Sequence, residues 1–314
     1  MDDKVKVFAG TSNPELAKKI VKYMGINLGE IFVTRFSDGE IFVKILENVR
    51  GKDVFLIQST HPPAENLLEL LIMIDAMKRA SARRITAVIP YYGYGRQDKK
   101  DEPRVPISAK LVADLLSTAG AHRILALDLH AEQIQGYFNI PVDHLYAAPV
   151  IIEHIKRQDF YNVDNLVIVS PDPGRAKKAR AIAKRINNVP IAIIDKRRPA
   201  PNMAEVMNVV GEVEGKVAIL VDDIVDTAGT LVGAAEAIMK KGAIRVFAYV
   251  THPVLSSNAC ERIKDSPIEK LVVTDSIPLK DNCSADIEVV SVAELLGEAI
   301  LRIHEERSVS TLFV

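Results

Sequence analysis

Seven short apolar runs recur along the chain, at residues 54–59, 85–90, 124–128, 166–170, 191–195, 217–222 and 244–251. Each is nearly continuous in hydrophobicity rather than alternating, the pattern of parallel strands covered on both faces. Between them, residues 66–79, 107–119, 175–186 and 230–240 repeat apolar positions at helical spacing. Strand and helix in alternation predict an α/β protein with mostly parallel sheets. Residues 31–36 and 40–45 behave differently. They alternate across Ser37-Asp38-Gly39, the signature of a hairpin.

The order of these elements repeats. The run 54–59, a helix to 79 and a strand at 85–90 match the run 217–222, a helix to 241 and a strand at 244–251. Residues 124–128 and 271–275 follow each unit in the same place. Two copies of one α/β fold, joined near residues 146–149, are expected, with domains at 1–147 and 148–314. A chain of 314 residues is long enough for two proper cores.

Composition narrows the function classes. Hydrophobic residues at 48% and charged residues at 26% exclude a disordered or fibrous chain. With 40 Lys and Arg against 41 Asp and Glu, the net charge of −1 gives no overall field to hold nucleic acid. Residues 175–185 carry six basic side chains and no acidic one, but no aromatics are interleaved, so this helix reads as a solvated face. The longest apolar stretch, around residues 67–77, is broken by Glu69 and Asp75 and falls short of the ~20 residues of a membrane span. The start MDDKVKVFAG is acidic, without the basic and apolar regions of a signal peptide. Cys260 and Cys283 cannot build a disulfide framework and fit a reducing cytosol, so a cytoplasmic location is expected.

The sharpest chemistry lies at 217–230, VAILVDDIVDTAGT. A buried strand runs out into Asp222 and Asp223, then Asp226, and Thr227-Ala228-Gly229-Thr230 opens a helix. Ligands of open α/β sheets sit beyond the carboxyl ends of the strands. Small residues at a helix N-terminus offer backbone N–H groups and a positive dipole end to a phosphate. Paired carboxylates suit sugar hydroxyls, directly or through a divalent ion. One loop therefore reads as a sugar-phosphate site. Elsewhere, Arg96 can fork onto a polyphosphate beside Gln97, Lys99 and Lys100, and His130 ends a strand two residues after Asp128. Phe36-Ser37-Asp38-Gly39-Glu40 puts a ring and two carboxylates at the hairpin tip.

The 217–230 run resembles the ribose-phosphate loop of type I phosphoribosyltransferase folds. The ordered set FSDGE, YGRQDKK, DLHAEQIQGYF, SPDPG, DKRRPAPN and DDIVDTAGT, with the end SVSTLF, resembles the ribose-phosphate diphosphokinase family, of the phosphate-activated, purine-nucleotide-inhibited class. The resemblance covers essentially the whole chain. It implies two tandem type I phosphoribosyltransferase-like domains, each a mostly parallel sheet flanked by helices. It also implies transfer of the β,γ-diphosphoryl group of ATP to the anomeric hydroxyl of ribose 5-phosphate, with Mg2+ as cofactor and a homohexamer as assembly. Residue by residue, Lys196 and Arg198 match the catalytic basic pair. Phe36, Asp38, Glu40, Arg96, Gln97, Asp101 and His130 match ATP contacts, the adenine pocket being completed from an adjacent subunit. His130 and Asp172 match metal-associated positions. Asp222, Asp223, Asp226, Thr227, Ala228, Gly229 and Thr230 match the ribose 5-phosphate loop, and Arg50, Arg104, Ser308 and Ser310 match regulatory positions.

The chain departs from the family pattern at three places. Pro173-Gly174-Arg175 stands where a Gly-Gly pair is frequent, Asn48-Val49-Arg50 where a Ser-Val-Arg triplet is, and Glu102-Pro103 where basic or small residues are. Two other readings are a non-catalytic regulatory paralogue, which would disrupt the basic loop, and a type I phosphoribosyltransferase, which would lack the RQD and DLH segments.

Overall fold

A computed structural model describes residues 4–162, 164–197, 206–280 and 283–313. In chain order these form β1 (Val5–Ala9), α1 (Pro14–Met24), β2 (Ile31–Arg35), β3 (Ile41–Ile45), β4 (Asp53–Ile57), α2 (Glu65–Arg79), β5 (Arg84–Ile89), α3 (Ser108–Ala119), β6 (Arg123–Leu127) and β7 (Val142–Leu145). Then come α4 (Ala148–Lys156), β8 (Leu166–Ser170), α5 (Ala176–Arg185), β9 (Ile191–Arg197), β10 (Val206–Val210), β11 (Val217–Val225), α6 (Gly229–Lys240), β12 (Arg245–Pro253), α7 (Ala259–Lys264), β13 (Ile268–Thr274), β14 (Ile287–Val290) and α8 (Ala293–His304).

Two sheets carry the fold. The first runs β1-β4-β5-β6-β7 and is parallel throughout. The second runs β10-β9-β8-β11-β12-β13-β14 and is parallel except for the edge strand β10. The five strands β8-β11-β12-β13-β14 repeat the order of the first sheet, and β9-β10 stand where the β2-β3 hairpin stands in the first copy. Every residue of β4 and of β8 is buried, as their unbroken apolar runs require, whereas the run 191–195 on β9 alternates buried and half-buried residues. On α5, Ala179, Ile182 and Ala183 are buried while Arg180, Lys184 and Arg185 are exposed; the expected solvated face is incomplete, because the Lys178 ammonium is buried and Arg175, just before the helix, is largely covered.

The chain divides into two compact units. The first holds Met1–Ala147, Ser276–Pro278 and Ser291–Val314; the second holds Ala148–Asp275 and Leu279–Val290. The last helix thus belongs with the first unit, unlike the expected 148–314 domain. The reason is packing that sequence order does not reveal. α8 lies against α1, so closely that a Cβ on Gly297 would meet Tyr23 Cδ1 at 2.7 Å. Its end is tied down as Arg84 Nη2 donates to the Ile303 carbonyl (2.9 Å) and His304 Nδ1 lies 2.9 Å from Asp53 Oδ2.

The cysteines correct another expectation. Cys260 on α7 and Cys283 after β13 are joined in a disulfide, their Cα atoms 5.3 Å apart. A separation of 23 residues carries no sign that this helix and this loop lie side by side. No helix among the described residues is long and apolar enough to cross a membrane.

Candidate functional site

In the second unit the carboxyl end of β11 carries Asp222, half-buried, and Asp223, only 3% exposed. The Asp223 N–H donates to Asp222 Oδ1 (2.8 Å), so the pair is held as one group. Burial first, and the neighbouring Asp223 charge second, push the Asp222 carboxyl well above its ordinary pKa. Arg175 meets both carboxylates: its Nη2 donates to Asp223 Oδ2 at 2.8 Å, and its Nε lies 3.7 Å from Asp222 Oδ1.

The next turn is built to present backbone. Ala228 sits in the left-handed region at φ 62°, a conformation that costs a side-chain-bearing residue energy and is held only where surroundings impose it. The imposing contacts are visible. Ser256 donates to Asp226 twice over, its N–H to the Asp226 carbonyl (3.0 Å) and its Oγ to Oδ1, while Arg262 Nη1 donates to the Thr227 carbonyl (3.2 Å). Helix α6 then starts at Gly229 with no side-chain cap, and Thr227, Gly229 and Thr230 are exposed. Such a helix start turns its positive dipole end toward the exposed turn, where an anion would be favoured. Ser256 and Arg262, from the segment after β12, escaped sequence reasoning because nothing in their spacing ties them to residue 226.

Asp172, at the end of β8, caps the turn Pro173–Arg175, its Oδ1 accepting from Arg175 N–H at 3.0 Å. Lys196 is fixed in backbone position by the pairing of β9 with β10, opposite Met207. Arg198 lies outside the described residues.

In the first unit, Phe36, Asp38 and Glu40 sit on the β2–β3 turn, all exposed, Phe36 to 54%. Asp38 accepts from the Glu40 N–H (3.0 Å) and Phe36 packs edge-on against Phe42. Arg96, Gln97 and Asp101 are exposed on the loop after β5. Buried Asp98 anchors that loop, accepting from Gln133 Nε2 (2.6 Å) and, at its carbonyl, from Tyr137. Gly93 is required there, since a Cβ would meet the Thr60 carbonyl oxygen at 2.1 Å. His130 is half-buried just beyond β6, where buried His144 accepts the Leu129 N–H through Nε2 (2.9 Å). Asp98 and His144 were not singled out by sequence, because a buried latch looks like any polar residue until its partners are seen.

Of the residues that match regulatory positions by resemblance, Arg50 and Arg104 are exposed, and the Ser308 and Ser310 hydroxyls are hydrogen-bonded to each other at 2.7 Å. Among the described residues no group of three His, Cys, Asp or Glu side chains is gathered as a metal cage.

A parallel sheet, an acidic strand end and an uncapped helix start, on a sheet order that occurs twice in the chain, define a phosphoribosyltransferase-like α/β protein in two tandem copies. The profile of the N-terminal domain of ribose phosphate pyrophosphokinase matches residues 5–120, and that of the phosphoribosyl synthetase-associated domain matches residues 195–314. The ribose-phosphate pyrophosphokinase of Chlorobaculum tepidum is 56% identical over 313 residues, covering 100% of this chain and 96% of that protein. That of Bacillus subtilis is 56% identical, covering 99% and 98%. The crystal structure of phosphoribosylpyrophosphate synthetase from Mycobacterium smegmatis superposes with a TM-score of 0.90 at 42% identity, over 97% of this chain and 100% of that one. The chain belongs to the ribose-phosphate pyrophosphokinase family.

Proposed function

We propose that the protein makes phosphoribosyl diphosphate and AMP from ATP and ribose 5-phosphate. The observation that carries the reading is the Asp222–Thr230 loop, with two carboxylates at one end and an uncapped helix start at the other, in a chain more than half identical to named pyrophosphokinases over its full length. The phosphate of ribose 5-phosphate takes the N–H groups at Gly229 and Thr230, and the ring hydroxyls take Asp222 and Asp223. The anomeric oxygen then attacks the β-phosphorus of ATP. The bond from that phosphorus to the α,β-bridging oxygen breaks, AMP leaves with the oxygen, and the hydroxyl proton passes to solvent. Such a step needs positioning and charge stabilisation more than covalent chemistry. Lys196 and Arg198 supply cations to the equatorial oxygens of the transferred group. Phe36 stacks on the purine, Asp38 and Glu40 accept its exocyclic amine, and Arg96, Gln97 and Asp101 hold the remainder of ATP.

The donor set fits Mg2+. This ion keeps several waters and substrate phosphate oxygens and takes only one or two protein ligands, so it needs no three-residue cage. Asp172 in the second unit, with one carboxylate oxygen committed to Arg175 N–H, would hold one ion or its water shell, and His130 in the first unit would hold another or contact the ATP phosphates. Bound there, it supplies charge neutralisation on the polyphosphate. We further propose a homo-oligomer whose hairpin tip at Phe36–Glu40 completes a neighbour's ATP site; an active dissociated monomer would refute that proposal.

Incubation with ATP, ribose 5-phosphate and Mg2+ tests the activity. Formation of AMP is expected; formation of ADP, or no turnover at any phosphate concentration, overturns the proposal.

A further inference from the structure

Arg175 is the residue that the chemistry above leaves unused. It stands where the family often carries a second glycine, and its side chain is only 19% exposed. Pro173 fixes φ at the start of the turn, and the Asp172 side chain grips the Arg175 N–H. The backbone is therefore set before the side chain reaches out. The guanidinium then donates to Asp223 at 2.8 Å and lies 3.7 Å from Asp222. Its planar fork spans the two acids, and it cannot lose its proton at any working pH.

Without a cation, this pair would repel the dianionic phosphate that the same loop is shaped to receive. A divalent ion can remove that repulsion reversibly. A guanidinium fixed on the loop removes it permanently, and it competes with the divalent ion for the same carboxylate oxygens. We propose that Arg175 is a built-in counter-cation of the Asp222–Asp223 pair, a positioning residue that lets the sugar-phosphate loop bind ribose 5-phosphate with no divalent ion on that pair. The inference rests on reading 222–230 as the ribose 5-phosphate loop and adds how its charge is balanced. Mg2+ associated with ATP is unaffected, because its ligands are other groups.

Two binding measurements on the full chain test it, neither depending on turnover. Mn2+ binding followed by electron paramagnetic resonance should be at least about ten-fold tighter in Arg175→Gly than in the native protein, since the carboxylates lose their internal partner. Ribose 5-phosphate binding by calorimetry should persist in EDTA for the native protein. For Arg175→Gly it should weaken by about ten-fold in EDTA and recover when Mg2+ is added, while Arg175→Lys, which keeps the charge, should stay within about three-fold of native. A merely structural Arg175 would lower thermal stability without changing Mn2+ affinity. Arg175→Gln, which keeps the bulk and removes the charge, carries the same expectations as the glycine variant should that one fail to fold. Unchanged Mn2+ affinity in the neutral variants, or a loss of ribose 5-phosphate binding that Mg2+ does not restore, overturns the inference. If the native protein binds no ribose 5-phosphate even with Mg2+, the reading of the loop falls, and the Mn2+ arm still decides whether Arg175 occupies the pair.

Discussion

The two copies of the α/β unit share a strand order but differ at the carboxyl end of the strand after the hairpin. In the first copy that end is closed by its own side chains. Gln58, fully buried, accepts the Ser12 N–H (3.1 Å) and hydroxyl (2.7 Å) through Oε1 and donates to Glu69 (3.0 Å). Glu69, 4% exposed, also takes the N–H and hydroxyl of Thr11. Thr11, Ser12, Gln58 and Glu69 each have an internal partner there, as members of a buried network need. In the second copy the last stretch of the strand carries Asp222 and Asp223, and the helix after it begins without a side-chain cap, beside exposed threonines. The first end is closed by partners within its own unit, whereas at its counterpart Thr227, Gly229 and Thr230 remain exposed. The hairpins diverge in the same way: β2–β3 pair only with each other, whereas β9 joins the main sheet and leads to the basic loop. Function on this scaffold resides in the loops, and the strand order is shared.

The most severe way to break this comparison is Lys196→Ala. It should lower kcat by about 10³-fold while ribose 5-phosphate affinity changes by less than about three-fold. Equal losses in the two would make the β9–β10 loop a binding element. Next in size, Phe36→Ala on the other hairpin should raise KM for ATP by about ten-fold with little change in melting temperature, because an exposed ring contributes stacking to a ligand and little to the core. An unchanged KM would remove the hairpin tip from the ATP site.

Two smaller effects, of opposite sign, separate the closed strand end from the open one. Gln58→Ala should destabilise the protein by about 2 kcal/mol in denaturant unfolding, since it leaves Ser12 and Glu69 without their buried partner, and should spare kcat. Asp222→Asn should do the reverse, raising the melting temperature by about 2 °C while reducing activity, as removal of a functional buried charge commonly does. The pH dependence has a definite sign. Because burial and Asp223 raise the Asp222 pKa in the folded protein, its stabilising contribution is full below the ordinary carboxylate range and is lost as pH rises through the elevated value. The gain from Asp222→Asn should therefore be largest at pH 8 and shrink toward pH 4.5. A gain that grew on acidification would mean that Arg175 overcompensates the pair.

Much of this was legible in the chain alone. Unbroken apolar runs predict parallel strands because both faces of each must be covered, and the ordered motifs locate the acidic strand end, the hairpin tip and the basic loop by local chemistry. Partnership was not legible. The contacts of Ser256 and Arg262 with the Asp226–Thr227 backbone, and the hold of His144 on Leu129, join residues at separations that no periodicity encodes. The bond between Cys260 and Cys283 was no more legible, since two cysteines 23 residues apart fit a reducing cytosol as well as a pairing.

The sequence by itself thus determined the class of fold, its duplication and the residue types at each loop, since those follow from local pattern. Tertiary structure alone decided three matters: that α8 returns to the first unit, that one strand end is closed by partners within its own unit while residues at its counterpart remain exposed, and that Arg175 lies on the Asp222–Asp223 pair. The physical reason is the same in each. Satisfying a buried charge or covering an apolar face depends on what lies across space, and the residue that does so is named by the fold.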